Sequence, residues 1–543
     1  MQSVWGRAVT CGVVGLWIWL GIAPGAAAQN SASAKLDEVG SQRYQAGDLD
    51  GAIAAFRQAV AANPNDSLAY SNMGLALMDK GNLPEAATAL DRCISIIDAK
   101  AAAAHIAPPA KPRTYSVLAI ALNNLALVLY QQAQLNAALA VATRSTQEAA
   151  AYPDAWVTRG VILQAQGQLD LAIAAYRQAQ TLNPKLASAS QDLGQALQKK
   201  GQLDDALTVL SQGIANHPDD SELQAAYASV LSQKGRLTDA VAAYKVSLSI
   251  KPDSSDALYG LGNGLRYLGN FPEALTALQQ AHGLAPTDVN TTLSLATLLT
   301  EMGYDPEAQA LLNEIPEAQK NNPYLLLARA TTLIHQSKSG DAIPLLRQAL
   351  AVNSDANSDF PEATAALASL QIDLGKPEQG LAMVRPALAA HPENAELHNA
   401  YGLLLGAQGK FPEAQAEYEK ALAIRPGYLD ARVNLAVAQA RQNKPSDAVA
   451  NFQAVLAVDP ANLKAEANLG VTLIGAKRYA DAAAALRAAI ALSPSDPDLY
   501  TNLGIALERS GKTSEAQQCY AQAKQLKAQA PSATAHPTAI AKP

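Results

Sequence analysis

A proline returns every 34 residues along most of this chain. Pro184, Pro218, Pro252 and Pro286 form one run, and Pro392, Pro426, Pro460 and Pro494 form another. A fixed period of that length restricts the chain to architectures that grow by stacking one small unit, since no single unit encloses a core by itself. Numbering each unit so that this proline is position 32 brings other columns into register. Position 8 is small, as in Gly40, Gly74, Gly160, Gly194, Gly262, Gly402, Gly470 and Gly504. Position 20 is nearly always Ala (Ala52, Ala172, Ala240, Ala308, Ala414, Ala482, Ala516), and position 24 is large and apolar, with Phe56, Tyr176, Tyr244, Tyr418, Phe452 and Tyr520. Small residues at 8 and 20 let two antiparallel helices approach closely, and position 24 fills the space between them. Glycine near position 15, such as Gly81, Gly167, Gly201, Gly235, Gly269, Gly409 and Gly511, supplies the left-handed residue that ends the first helix. In LPEA (83–86), FPEA (271–274), DPEA (305–308) and FPEA (411–414) a proline stands in the first turn of the second helix, where its missing N–H costs nothing.

These columns, recurring together in phase over about residues 33–530, resemble the tetratricopeptide repeat, a 34-residue helix–turn–helix unit. The resemblance implies an all-α, right-handed superhelical solenoid of about fourteen repeats. It is similar to the array of O-GlcNAc transferase, with no catalytic domain attached. The phase divides the chain into an N-terminal leader (1–28), repeats 1–2 (29–100), an Ala/Pro-rich insertion (101–118) and repeats 3–9 (119–356). A phase slip (357–360), repeats 10–14 (361–530) and a tail expected to be disordered (531–543) complete it. The insertion predicts a lengthened second helix in repeat 2, a proline loop around Pro108 to Pro112 and an extended helix after it. Pro316, Pro344 and Pro386 fall inside expected second helices, where proline removes a backbone bond and bends the axis, so a change of curvature is expected within 289–394.

Charged residues make up only 16% of the chain, the net charge is −7 and no basic run occurs, which argues against nucleic-acid binding. The first residues differ in kind. Arg7 precedes an apolar core from about Cys11 to Ala23, then Pro24-Gly25 and the small run Ala26-Ala27-Ala28. That order reads as a secretory signal cleaved after Ala28, giving a periplasmic or otherwise exported protein. Retention of this segment as a membrane anchor is the alternative. Cys93 and Cys519 would remain, too far apart in a solenoid to pair, with Cys93 read as a small core residue.

No catalytic, cofactor-binding or metal-ligating pattern stands out: the seven histidines are scattered and the glycines are explained by repeat geometry. A non-enzymatic chain with protein or peptide partners is expected. In the repeat family the first helices line a concave groove through positions 2, 5, 6, 9, 12 and 13. Position 6 holds Asn72 and Asn124 early, and Asn434, Asn468 and Asn502 late. An amide side chain offers donor and acceptor together, matching a peptide group of any sequence, and consecutive Asn here resembles the asparagine ladder of O-GlcNAc transferase. Position 9 adds an apolar strip, Leu403, Val437, Val471 and Ile505. Asn at this column also belongs to the general repeat consensus, so a local structural role stays open beside peptide binding. Position 5 carries neither Lys nor Arg, which argues against a carboxylate clamp. Acidic residues at position 2 (Asp154, Glu222, Asp256, Glu362, Glu396, Asp430, Asp498) suit the helix dipole. Tyr259, Arg266 and Tyr267 are placed on the groove as residue types that anchor partners. By analogy the chain is an exported scaffold of a cell-envelope assembly; a regulatory or substrate-recruiting subunit of an enzyme complex is the alternative.

Overall fold

The computed structural model describes residues 30–104, 116–355 and 359–529. The leader with Ala28, the Pro108–Pro112 stretch and the tail lie outside them. The described residues form twenty-eight α-helices and one 3-10 turn, with no strand among them. The chain divides into two compact units, residues 1–234 and 235–543.

The first unit holds α1 (Asn30–Gln45), α2 (Leu49–Ala62), α3 (Ser67–Asp79), α4 (Leu83–Ala104), α5 (Val117–Gln131) and α6 (Leu135–Glu148). It continues with α7 (Pro153–Ala165), α8 (Leu169–Leu182), α9 (Ala187–Lys199), α10 (Leu203–Asn216) and α11 (Ser221–Gln233). The second unit begins with α12 (Leu237–Ile250), α13 (Ser255–Leu268), α14 (Phe271–Leu284), α15 (Val289–Glu301) and α16 (Asp305–Glu314). After a 3-10 turn come α17 (Pro323–His335), α18 (Ser339–Asp355), α19 (Pro361–Leu370), α20 (Pro377–Ala390) and α21 (Ala395–Ala407). It closes with α22 (Phe411–Ile424), α23 (Leu429–Arg441), α24 (Pro445–Leu456), α25 (Leu463–Gly475), α26 (Tyr479–Leu492), α27 (Pro497–Arg509) and α28 (Thr513–Gln529). Odd-numbered helices are the first of each repeat and even-numbered ones the second.

A residue with positive φ stands at position 15 of every repeat, in the turn that follows the first helix. Ten are glycines, and Ala133, Ser337, Asn443 and Lys477 take the other four. The turn geometry is the left-handed helix stop: the Gly81 N–H reaches Met78 O at 2.9 Å and the Asn82 N–H reaches Leu77 O at 2.9 Å. Many first helices then start on a capping side chain at position 34, as when Asp66, Asp220, Asp288 and Asn462 accept from helical N–H groups. Between the two helices of a repeat, positions 8, 20 and 24 interlock. A Cβ on Gly160 would stand 2.5 Å from Tyr176 Cε1, so this contact admits only glycine opposite the ring. Tyr176, Phe452 and most of the position-20 alanines are fully buried. Cys93 is buried and Cys519 half-buried, both as free thiols.

Departures from the period show in the helices. α4 runs for 22 residues where its counterparts run for about 14. Pro344 and Pro386 lie inside α18 and α20. Pro316 does something different: α16 stops at Glu314, so this proline ends the helix instead of bending it. The missing turn leaves an open cavity of about 600 Å³ lined by Gln309, Asn313, Glu314, Lys320 and Arg329. Arg329 Nη2 donates to Leu312 O at 3.0 Å, taking one of the carbonyls that the shortened helix leaves without a partner.

Candidate functional site

The three late asparagines share a column but not a set of partners. Asn434 Nδ2 donates to Asn399 Oδ1 at 2.9 Å, across to α21, the first helix of the preceding repeat. Asn468 Nδ2 donates to Lys464 O at 2.7 Å, back into its own helix α25. Asn502 on α27 is half-buried and, among the described residues, has no side-chain hydrogen-bond partner. Leu403, Val437, Val471 and Ile505 are each half-buried on the same helical face. Helix packing accounts for the buried flank of each: Leu435, Leu469 and Leu503 are buried beside the asparagines. From α23 to α27 the column therefore passes from a bonded amide to an open one, flanked by apolar surface.

In the first unit the column is turned inward. Asn72 Nδ2 donates to Asp37 Oδ1 at 3.0 Å and to Oδ2 at 3.2 Å. Asp37 is only 8% exposed. Burial pushes its carboxyl up to about 6, the Asn72 hydrogen bond pulls it partly back and the nearby Asp66 charge adds to the rise. Asn123 and Asn124 are both buried on α5, and Asn123 Oδ1 has no hydrogen-bond partner among the described residues.

The groove residues of the seventh repeat have a different fate from the one their sequence suggests. Arg266, on α13, is buried, and its Nη1 meets Glu301 Oε1 of α15 at 2.8 Å. The same carboxylate oxygen accepts from Arg425 Nη2, which comes from the turn between α22 and α23, 124 residues away in sequence. Arg425 Nη1 also meets Glu396 of α21 at 3.1 Å. The Arg425 guanidinium lies between two rings, 4.9 Å from the centre of Tyr267 and 4.8 Å from that of Tyr428. Next to it the Gly427 N–H donates to Tyr267 O at 2.8 Å. At the start of α23, Asp430 stands 3.8 Å from His335 at the end of α17. Tyr267 and Arg266 thus anchor this chain's own turn. Glu396 and Asp430, placed in sequence against helix dipoles, face Arg425 and His335.

Electrostatics fit this junction. Burial alone would raise Glu301, but the charges of Arg266 and Arg425 outweigh it and hold the carboxyl below its ordinary value. Burial alone would lower Arg425, and Glu301 and Glu396 reverse that, raising it. For Asp430 the neighbouring His335 and the charges of Lys464 and Arg425 overcome burial and set it well below the carboxylate range. His335 is raised by Asp430 against a burial effect of opposite sign.

Gly427 makes the approach possible. A Cβ there would lie 2.6 Å from both Arg266 O and Gly269 Cα. The sequence carried a signal for this, since other units follow their position-32 proline with Asn65, Lys185, Asp219, Asp253, Thr287, Glu393, Ala461 or Ser495. Nothing in the period says which distant helix that glycine meets. Among the described residues no group of His, Cys, Asp and Glu is arranged to hold a metal ion, and no helix is long and apolar enough to cross a membrane.

Comparison with known proteins agrees with the repeat phase. One family model described as a tetratricopeptide repeat matches residues 163–230, 265–331 and 473–535. A second so described matches 123–187, 365–428, 402–462 and 433–497, and a TPR repeat model matches 40–81. Comparison with curated proteins finds no match. Among solved structures, the crystal structure of the APC/C hetero-tetramer Cut9-Hcn1 is similar, with a TM-score of 0.50 at 14% identity, covering 88% of this chain and 96% of that one. YrrB, a TPR protein with an unusual peptide-binding site, aligns over 32% of this chain and 89% of its own at 22% identity and a TM-score of 0.27. At such identities the likeness concerns the fold alone.

Proposed function

Because the chain belongs to the tetratricopeptide-repeat family, we propose that it is a non-enzymatic interaction scaffold that takes a partner's peptide segment on α23, α25 and α27. The observation that carries this is the half-buried strip Val437, Val471 and Ile505 beside the open amide of Asn502. An apolar strip buries side chains of an extended or helical segment, and an amide answers its backbone without regard to sequence. Asn468 joins the row by exchanging an intrahelical bond for one to the partner. Asn434, held by Asn399, limits the row at its near end. Cut9, the neighbour in fold, is named in a complex with a second protein, Hcn1, which suits a scaffold role.

The leader at 1–28 supports export, with a mature chain beginning at Gln29 in a cell-envelope assembly. N-terminal sequencing checks this: a start at Gln29 in an envelope fraction is expected, and an intact Met1 in the cytosol contradicts it. For the scaffold itself, crosslinked partners are recovered on the full chain and on an Asn434→Ala, Asn468→Ala, Asn502→Ala variant. Recovery should fall several-fold while the melting temperature stays within a few degrees. Unchanged recovery on the folded variant rules the amide row out as a contact. A stoichiometric enzyme with altered activity among the partners would instead mark a regulatory subunit.

A further inference from the structure

The junction between α13, α15 and α17 and the turn 425–430 is built unlike a core. Each charge that crosses it also has a partner at home. Glu301 holds Arg266 on its own side when Arg425 is taken away, and Arg425 keeps Glu396 on its side. Arg266 Nε, Arg425 Nε and Glu301 Oε2 are buried with no hydrogen-bond partner among the described residues, so the closed network is only partly satisfied. Separating the two surfaces therefore strands no charge, whereas a buried pair without such spare partners is strongly destabilised on breaking.

The receiving surface has the chemistry of an arginine site. Tyr267 offers a ring face, Glu301 a carboxylate already below its ordinary pKa, and Tyr267 O a carbonyl for one backbone N–H. The visiting segment supplies Arg425, a Pro426-Gly427 turn with no side chain at the point of closest approach, and Asp430 directed at His335.

We propose that the ends of α13, α15 and α17 form a recognition site for an arginine-led Pro-Gly turn, and that residues 425–430 fill it as an exchangeable ligand within the chain. The site is separate from the strip on α23, α25 and α27, so this proposal does not rest on the scaffold reading. A second protein carrying such a turn gains access by displacing the internal one.

A fluorescent peptide of residues 423–431, AIRPGYLDA, tests this on the full chain. It is titrated against the native protein and against two variants that empty the site by different means. Arg425→Ala removes the internal guanidinium, and Gly427→Ala places a Cβ against Arg266 O and Gly269 Cα. Both variants, checked for folding by circular dichroism and thermal melting, should bind the peptide about tenfold or more tightly than the native chain, since internal competition is removed. A control peptide with its Arg changed to Ala should not bind. If one variant fails to fold, the other decides. The proposal is overturned if a folded variant binds no more peptide than the native chain, or if the control peptide binds equally well.

Discussion

The first unit and the 266–430 segment of the second are written in the same repeat and held together differently. In the first unit, side-chain bridges recur at a spacing of thirty: Lys80 to Asp50, Lys200 to Asp170 and Lys234 to Asp204. They link second helices to neighbouring repeats at the surface, and such bridges contribute little. In the second unit Arg425 meets Glu301 across 124 residues, and Arg425 is only 5% exposed. The repeat code therefore sets each helix pair and its neighbours, while a contact between distant repeats needs residues that depart from the code. Gly427 at position 33 is such a departure, and Glu301 stands at position 13, a column the repeat leaves variable. The first unit has Asn65, Lys185 and Asp219 at position 33, and Asp79, Gln131, Ala165 and Lys199 at position 13.

The sharpest way to break the contrast is to remove the shared carboxylate. Glu301→Ala leaves Arg266 buried without its acceptor and Arg425 with Glu396 alone. It should cost about 3–5 kcal/mol, the range for breaking a buried pair. The matching change in the first unit, Asp204→Ala, deprives Lys234 of an exposed partner and should cost about 0–1 kcal/mol. Denaturant melts of both variants measure the difference. Similar costs would mean that the buried junction behaves as surface.

Acid titration separates the two regions next. Asp37 has a folded pKa of about 6, above its unfolded value, so the favourable state is the protonated one. First-unit stability should be highest below the unfolded pKa and decline as pH rises through about 6. The total loss is roughly 3 kcal/mol. Asp37→Asn, which keeps an acceptor for Asn72, should flatten that decline in pH-dependent melts. His335 is also raised, so its contribution is complete below its unfolded pKa and fades as pH rises through the folded one. The groups around it are Asp430, Lys464 and Asp305, and Asp430 stays ionised until far lower pH. Its side chain is 25% exposed and that of Asp430 45%, so this effect should be the smaller of the two. It should also lie at higher pH and vanish in His335→Ala.

The mildest prediction concerns the turns. Ala133, in the first unit, and Lys477, in the second, hold positive φ where ten other repeats use glycine. Ala133→Gly and Lys477→Gly should each stabilise by about 1 kcal/mol, measured by denaturant midpoint, because the strain of a left-handed L-residue is removed. A loss of stability in either would show that the native side chain compensates for its backbone.

Much of this architecture was readable beforehand. The position-8 glycines, position-20 alanines and position-24 rings specify one close helix pair each, and that packing is local in sequence. Pro316 stops its helix where the period predicts a bend, because a proline near a helix end can do either and the choice depends on what replaces the lost carbonyl bonds. Here Arg329 takes one. The site was less legible. The amide column could be seen, but not that Asn434 and Asn72 are engaged by Asn399 and Asp37 while Asn502 stays open, since position 5 and position 6 of successive repeats decide it together. Arg266 and Tyr267 were visible as anchors, while their partner, a turn more than a hundred residues on, has no periodic signature.

Amide hydrogen exchange of the native chain tests the contrast most directly. The turn at 425–430 and its first-unit counterpart at 217–222 occupy the same place in their repeats, and only the first donates a backbone N–H to a distant helix. Protection of the Gly427 amide about tenfold or more above that of Asp219 is expected, since opening the junction must precede exchange. Equal, rapid exchange at both would contradict a junction closed in solution.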